Sequence, residues 1–328
     1  MKIAILGFGS VGQGIAEAIR SKNLGILITA IADSRSGVIN PQGVDIAEVL
    51  ERKQRTGICG DPGISSIDII NKADYDVLVE VTPTNAETGE PALGYIKQAL
   101  MMGRHVVTSN KGPIALEYTT LSCIADESRA LLRYEATVCG AIPLIHALQH
   151  GFAGNTIRKL SGVFNGTCNY ILTRMSDEGL TYEQALAEAR ELGYAEADPT
   201  YDVKGIDAAI KLVILANTLW DMEKRLSDVD ITGIDKLTSD AIVLAEEDEC
   251  TIRLIGEIIP GTGFLRVAPM ILPKNHVLVV EGTLNAVTVE TDMAGDVTFI
   301  GKGAGSIETA SAIISDILFI RDCHDKRP

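Results

Sequence analysis

No stretch of this sequence reaches the eighteen or more apolar residues of a membrane-spanning helix, and its opening apolar run, residues 3–6, is too short for a secretory signal core. Among the cysteines at 59, 123, 139, 168, 250 and 323 there is no CxxC pair, and no Cys/His cluster has metal-ligand spacing. A disulfide framework is therefore not expected, and the thiols are read as reduced core residues. Positive charge is also scarce: 29 Lys plus Arg stand against 44 Asp plus Glu, a net charge of -15. Gripping a phosphate backbone requires a basic face that displaces counterions, so no nucleic-acid partner is expected. Internal repeats, low-complexity tracts and Pro-rich linkers are absent as well. These absences point to a globular, cytoplasmic protein that uses neither membrane nor nucleic acid.

What is present is ordinary globular composition, 46% hydrophobic and 22% charged over 328 residues, a length that suits about two domains. The first third alternates strand-like runs at Lys2–Leu6, Leu27–Ala32, 77–81 and His105–Thr108 with helical patterns, the first of them over 10–20. That alternation predicts βαβ crossovers and an α/β doubly wound, mainly parallel sheet. From about residue 130 the texture changes. Strand-like runs at 158–164, 251–259, 276–282 and 286–290 no longer alternate regularly with helices, which predicts an α+β second domain with a mixed or antiparallel sheet. Within it, 181–192 reads as an amphipathic helix opened by a capping box of Thr181 and Gln184. The segment 207–220 is apolar almost all round and reads as a buried helix.

Directly after the first strand come Gly7, Gly9 and Gly12 in GFGSVG, at the head of a helix. The first glycine permits the tight turn, the second lets backbone approach a pyrophosphate, and the third lets helix and strand pack closely. The helix N-terminus adds unpaired N–H groups and a positive dipole end. Together they predict a nicotinamide dinucleotide site. Asp33, at the end of the second strand, is placed to accept hydrogen bonds from the adenosine ribose of NAD, whereas Arg35, Arg52 or Lys53 could pair the 2′-phosphate of NADP. The residues admit either cofactor.

The densest polar cluster is GYAEADPTYDVKGIDAAIK, residues 193–211. Asp207 and Lys211 lie four apart and so share a helix face. The run LVILA that follows gives that helix no polar side for solvent, which buries the pair or turns it into a cleft. Buried charge is costly unless paired, and sites that tolerate it are often functional.

With these motifs stand VVTSNK at 106–111, EATVCGAIP at 135–143, NGTCNYI at 165–171, and GKGAG at 301–305 followed by Thr309, Ala310 and Ser311. In this order, over nearly the whole chain, they resemble the homoserine dehydrogenase family. The resemblance implies a Rossmann-type nucleotide domain, 1–130, completed by a C-terminal helix over 303–322, and a catalytic and dimerisation domain over 131–302, joined in a homodimer. It implies hydride transfer between NADPH or NADH and L-aspartate 4-semialdehyde or L-homoserine, on the way to threonine, methionine and isoleucine. Carried over residue by residue, the family's two lysines near the reacting carbon are Lys111 and Lys211, with Asp207 organising the latter. Glu196, Asp202, Tyr194, Asn165, Gly166 and Thr167 match the amino-acid pocket. The cofactor positions are Gly7, Phe8, Gly9, Ser10, Val11, Gly12, Asp33, Ser34, Arg35, Thr82, Pro83, Ser109, Lys111 and Gly303. Glu135, with the carbonyls of Val138, Gly140 and Ile142, matches a monovalent-cation site, commonly Na+.

The chemistry suits those assignments. Hydride arriving at an aldehyde carbon leaves an alkoxide, which needs a cation or acid at the oxygen. A desolvated lysine, its pKa lowered by burial and restrained by Asp207, can supply both, with Lys211 the leading donor and Lys111 the alternative. Cys168 stands where the family often has Thr or Ser, so no hydroxyl contact is expected there. Regulated members carry a further C-terminal ligand-binding domain of the ACT type; with the chain ending at Pro328, none is expected, nor threonine inhibition through it. Two competing readings remain: another two-domain reductase of an amino-acid aldehyde or imine, and a nucleotide-sensing regulator without turnover. The latter has no need of Lys111, Asp207 and Lys211.

Overall fold

The structure, a computed structural model, describes residues 1–325. The end at Pro328, on which the expectation about a further domain turns, lies outside the described residues. The chain divides into two compact units, Met1–Thr137 together with the segment from Gly305, and Val138–Ala304.

The first unit opens with β1 (Lys2–Leu6), α1 (Ser10–Lys22), β2 (Leu27–Ala32) and β3 (Gly37–Ile39). It continues through α2 (Ile46–Thr56), α3 (Ser66–Lys72), β4 (Val77–Glu80), α4 (Ala92–Met101), β5 (His105–Thr108), α5 (Lys111–Glu127) and β6 (Leu132–Arg133). The sheet order is β3-β2-β1-β4-β5-β6, parallel throughout except for the edge pair β2/β3. Ile3, Ala4, Ile5 and Leu6 are all buried, as a parallel strand covered on both faces requires. Strand order reverses between β1 and β4, which opens a crevice beyond their carboxyl ends. The C-terminal helix (Ser306–Asp325) packs on α1, adding Ala310, Ile313, Ile317 and Ile320 to the core that holds Ile15 and Ile19. A polar tie fixes it: Asp316, buried on that helix, accepts from Arg133 Nε at 3.1 Å and from the Glu135 backbone N–H at 2.9 Å.

The second unit begins with α6 (Leu144–His146), which runs into a π-helical turn, Ala147–Gly151. Then come β7 (Ile157–Val163), α7 (Gly166–Glu178), α8 (Tyr182–Glu191), α9 (Thr200–Val203), α10 (Ile206–Trp220), β8 (Asp230–Ile231) and α11 (Ser239–Glu247). β9 (Cys250–Ile259), β10 (Phe264–Pro273), β11 (Leu284–Thr291) and β12 (Asp296–Lys302) complete it. The sheet, ordered β12-β11-β7-β9-β10-β8, is antiparallel apart from the β10/β8 pair, hence mixed. Gly256 on the central β9 admits α10: a Cβ there would lie 2.8 Å from the Phe164 ring and 3.1 Å from Leu212. Asp207 through Thr218 are all buried, as the all-round apolar pattern of α10 requires. The Thr181–Gln184 capping box opens α8 as read.

Three features depart from the sequence reading. Residues 276–282, read as a strand, form turns instead. Leu278 and Val280 are buried against Val163, Ile255 and Ala286, and the carbonyls of Val280 and Gly282 accept from Asn169 Nδ2, both at 2.9 Å, rather than from a neighbouring strand. Apolar alternation there reports burial alone. β10 went unread because Pro269 interrupts its pattern, yet β8 pairs only with Arg266 and Val267, so Pro269 falls on a stretch with no strand on that side to miss its N–H. β12, also unread, has exposed or half-exposed side chains throughout and therefore little hydrophobic signal.

Candidate active site

The glycine turn shows which glycines are obligatory. Gly7 has φ +99°, and a Cβ there would meet Val81 O at 2.4 Å; a Cβ on Gly12 would meet Gly7 O at 2.1 Å. Gly9 differs, with ordinary φ and nothing within 4 Å of where its Cβ would be. As the N-cap of α1 it makes no side-chain capping bond, so the first N–H groups of that helix keep their capacity for an anion. These features border a cavity of about 1120 Å³. Gly7, Phe8, Gly9, Ser10 and Val11 form one wall, Asp33, Ser34 and Arg35 another, and Thr82, Pro83 and Ser109 a third. Of the expected cofactor residues, Gly12 sits behind the turn and Lys111 is the first residue of α5, neither lining this cavity. Gly303 belongs to the second unit, where a Cβ would strike the Asn285 side chain at 2.1 Å.

Asp33 is committed inside the protein. Oδ1 accepts from the Arg35 backbone N–H at 2.8 Å and Ser36 Oγ at 3.0 Å, while Oδ2 accepts from Lys53 Nζ at 2.5 Å and the Cys59 N–H at 3.0 Å. Burial raises its pKa, but Lys53 and the other donors outweigh burial and bring it down to about 2. Four donors on two oxygens fill the ordinary capacity of a carboxylate. Arg35 reaches Gly57 O at 2.5 Å, and with the ion-paired Lys53 and Asp33 it lines the cavity.

Next to Thr82, on the cavity lining, lies a network the sequence reading missed. Glu80, fully buried at the end of β4, accepts from the Thr82 backbone N–H at 2.8 Å, from the Thr82 hydroxyl, and from Thr108 Oγ1 at 2.8 Å. Burial pushes its carboxyl pKa up, against the pull of these donors. Thr108 Oγ1 in turn accepts from the Asn110 N–H at 2.9 Å, and Asn110 Nδ2 reaches Thr82 O at 3.3 Å. Asn110 immediately precedes Lys111, so the network fixes where α5 and its first lysine begin. The available signal was a carboxylate closing the apolar strand VLVE.

In the second unit, Lys211 and Asp207 form the pair read from their spacing: Nζ to Oδ2 is 2.8 Å, with Lys211 7% and Asp207 9% exposed. Nζ also donates to Phe164 O at 2.5 Å. The lowered lysine pKa expected from sequence is corrected. Burial does push the ammonium down, but Asp207 above all, with Cys139 and Asp202 behind it, more than offsets that and holds the group above the usual lysine value. Asn165, N-cap of α7, gives Nδ2 to Asp202 Oδ1 at 2.6 Å and Asp207 Oδ2 at 2.9 Å, while its Oδ1 accepts from the Cys168 N–H at 2.8 Å. Gly166 is held against Thr283 O, 2.6 Å from a would-be Cβ. Thr167 donates its hydroxyl to Tyr194 O at 2.7 Å, and the Tyr194 ring lies 4.9 Å from that of Tyr170. Tyr194 and Glu196 are exposed, on the loop between α8 and α9. Cys168, in place of a hydroxyl residue, turns its Sγ to Asp202 O at 3.1 Å, and burial raises its thiol pKa well above the usual value.

The expected cation ligands divide between units. Glu135 is buried in the first. Val138, Gly140 and Ile142 lie in the second, on a tight turn with φ +58° at Cys139 and +50° at Gly140, closed by Ile142 N–H to Cys139 O at 2.9 Å. Among the described residues no group of three or more His, Cys, Asp or Glu side chains could hold a metal ion, so any cation here must rely on carbonyl oxygens.

The homoserine dehydrogenase family model matches residues 143–318, and a model of glutamate/leucine/phenylalanine/valine dehydrogenase matches residues 1–79. A curated homoserine dehydrogenase of Methanocaldococcus jannaschii is 46% identical over 332 residues, covering 98% of each chain. An NAD(+)-dependent homoserine dehydrogenase of Pseudomonas canavaninivorans is 37% identical, covering 97% of this chain and 96% of its own. A hyperthermophilic archaeal homoserine dehydrogenase solved with NADPH superposes with a TM-score of 0.85 at 30% identity, covering 100% of this chain and 98% of its own. With the uncapped glycine turn and the buried Lys211–Asp207 pair, these likenesses identify the chain as a member of the homoserine dehydrogenase family, a family of NAD(P)-dependent oxidoreductases.

Proposed function

We propose that this chain interconverts L-aspartate 4-semialdehyde and L-homoserine, a step in the biosynthesis of threonine, methionine and isoleucine, with Lys211 moving the proton. The observation that carries this reading is the buried Lys211–Asp207 pair. An ammonium has three N–H donors; Asp207 Oδ2 and Phe164 O take two, leaving one for a substrate oxygen. A bound nicotinamide supplies or receives the hydride. As the aldehyde carbon is reduced, its oxygen gains negative charge, and Lys211 stabilises and then protonates it. In the reverse direction the neutral amine takes the proton back. Lys111 holds the substrate or serves as the alternative donor. The α-ammonium pairs with Glu196 or Asp202. The α-carboxylate goes to backbone N–H groups of Gly166 and Thr167 at the start of α7, since the Thr167 hydroxyl is spent on Tyr194.

In this reading the first unit binds the cofactor and supplies Lys111, and the second unit supplies the other substrate-binding residues. The cavity is larger than most small-molecule pockets, and the open Gly9 and uncapped α1 suit a pyrophosphate. NADP(H) is the preferred cofactor, because Asp33 has no acceptor capacity left for ribose hydroxyls while Arg35 and Lys53 offer cations to a 2′-phosphate. A hard cation such as Na+ suits the carbonyl oxygens of Val138, Gly140 and Ile142 on the turn that opens the second unit. Two copies join through the second unit's sheet into a cytoplasmic homodimer, which light scattering tests.

The deciding experiment follows absorbance at 340 nm with L-homoserine and each of NADP and NAD. The proposal expects turnover with both and a higher kcat/KM with NADP. Absence of turnover with either removes the reaction, and a clear preference for NAD removes the cofactor assignment. Activity unchanged after exhaustive removal of sodium and potassium removes the cation.

A further inference from the structure

Asn165 occupies an unusual place in the Lys211 cluster. It is 5% exposed, and every hydrogen-bonding group of its side chain is engaged within the second unit. One end of the amide, Oδ1, caps α7 through the Cys168 N–H. The other end, Nδ2, divides between two carboxylates on different helices, Asp202 Oδ1 on α9 at 2.6 Å and Asp207 Oδ2 on α10 at 2.9 Å. Asp207 Oδ2 is the same oxygen that receives Lys211 Nζ at 2.8 Å. A primary amide has two N–H donors, so nothing remains on this nitrogen for a substrate.

Two carboxylates drawn to one point repel, and in a buried site one of them ordinarily takes up a proton. A neutral bridge with two donors lets both remain anionic without adding charge of its own. We propose that Asn165 is a positioning residue rather than a substrate contact: its amide nitrogen holds Asp202 and Asp207 together as anions and so fixes the oxygen on which Lys211 is anchored. The titratable groups around this point are Asp207 and Lys211 on α10, Asp202 on α9, Cys168 on α7 and Cys139 on the turn before α6. Cys168 stays a neutral thiol, because burial raises its pKa well above the usual value, while Asp207 is the group that acts most strongly on the Lys211 ammonium. The inference rests on the proposed role of Lys211 as the group that moves the proton.

Two substitutions separate the functions of this side chain. Asn165→Ser keeps an oxygen able to cap Cys168 and deletes the Nδ2 donor. Asn165→Asp keeps the cap and replaces the donor with a third carboxylate at neutral pH, but once protonated that carboxyl loses its charge and can donate one of the amide's two hydrogen bonds. For Asn165→Ser the expected result is a fall in kcat of about 10- to 100-fold, with KM for homoserine and for the cofactor within about threefold of the unsubstituted enzyme. For Asn165→Asp the expected loss is deeper at pH 8 and shrinks by about tenfold or more, relative to the unsubstituted enzyme, as the pH falls toward 5.5 in the reductive direction. A merely structural role would not produce that acid recovery.

A raised KM for homoserine with unchanged kcat in Asn165→Ser would make the amide a substrate contact and overturn the proposal. So would an Asn165→Asp profile parallel to that of the unsubstituted enzyme. If Asn165→Asp does not fold, the split between kcat and KM in Asn165→Ser decides alone. Lys211→Ala serves as the reference: retained turnover there removes the lysine reading on which the proposal stands, whereas lost turnover together with a silent Asn165 pair removes only the proposal.

Discussion

Lys211 carries the sharpest consequences at the scale of single residues. Replacing it by Ala removes the proposed proton donor, and a fall in kcat of about 100- to 10,000-fold is expected, with cofactor affinity retained in a fluorescence titration. Its raised pKa fixes the direction of the pH dependence. Reduction of the aldehyde uses the ammonium and is expected to hold through neutral pH. Oxidation of homoserine uses the neutral amine and is expected to rise into the alkaline range, so separate optima for the two directions check the assignment. Asp33 gives a prediction of opposite sign. Its folded pKa of about 2 lies below the value of 3.8 for an unperturbed Asp, so its contribution to stability is full above that value and is lost as the pH falls toward 2. Urea midpoints measured at pH 5 and pH 2.5 are expected to fall less for Asp33→Asn than for the unsubstituted chain. Under the proposed cofactor assignment, Lys53→Ala is expected to lower kcat/KM for NADP by about tenfold or more and to narrow any advantage over NAD, because it removes the cation assigned to the 2′-phosphate and frees an Asp33 oxygen.

At the scale of elements, the turn between β1 and α1 separates two kinds of glycine that one motif writes alike. Gly7→Ala is expected to destabilise the fold, since it combines positive φ with a carbonyl 2.4 Å from the new Cβ. Gly9→Ala meets no protein atom within 4 Å and has φ −83°, so the thermal midpoint is expected to move little. The same methyl occupies the approach to the N–H groups of α1, and a rise of about tenfold or more in Kd for NADPH is expected. Calorimetry and titration on the two variants together test whether this turn is a ligand cradle or only a tight connection. α8 and α10 were legible because their signals are local: a capping box at Thr181 and Gln184, and an apolar run that leaves no solvent face. The turns at 276–282 were not legible, because the partner that satisfies their carbonyls, Asn169, lies more than a hundred residues earlier in the chain.

At the scale of the whole molecule, the first unit is closed by residues far apart in sequence. Asp316 on the C-terminal helix holds Arg133 and the Glu135 N–H, and Arg133 also lies over the Phe319 ring at 4.5 Å. Burial raises the Asp316 pKa, a shift Arg133 moderates. Arg133→Ala leaves that carboxylate without its cation, so a loss of about 3–5 kcal/mol is expected at pH 8, shrinking at lower pH as the carboxyl takes up a proton; urea unfolding at the two pH values measures it. Much of the molecule was legible from residue order alone. GFGSVG after a strand announced the tight turn into α1, and the spacing of Asp207 and Lys211 announced their pair, because turn geometry and the helical repeat are properties of neighbouring residues. Other features required the folded chain. The upward shift of Lys211, led by Asp207 on its own helix, sets burial against that neighbour with smaller contributions from Cys139 and Asp202 elsewhere in the chain, and the saturation of Asp33 depends on Lys53 and Cys59. The same holds for the double commitment of Asn165 and the tie between Arg133 and Asp316. The sequence by itself determined which chemical groups the protein has and which local elements carry them. Only the tertiary structure decided their protonation and their free hydrogen-bonding capacity, because both depend on burial and on charges brought together across long stretches of chain.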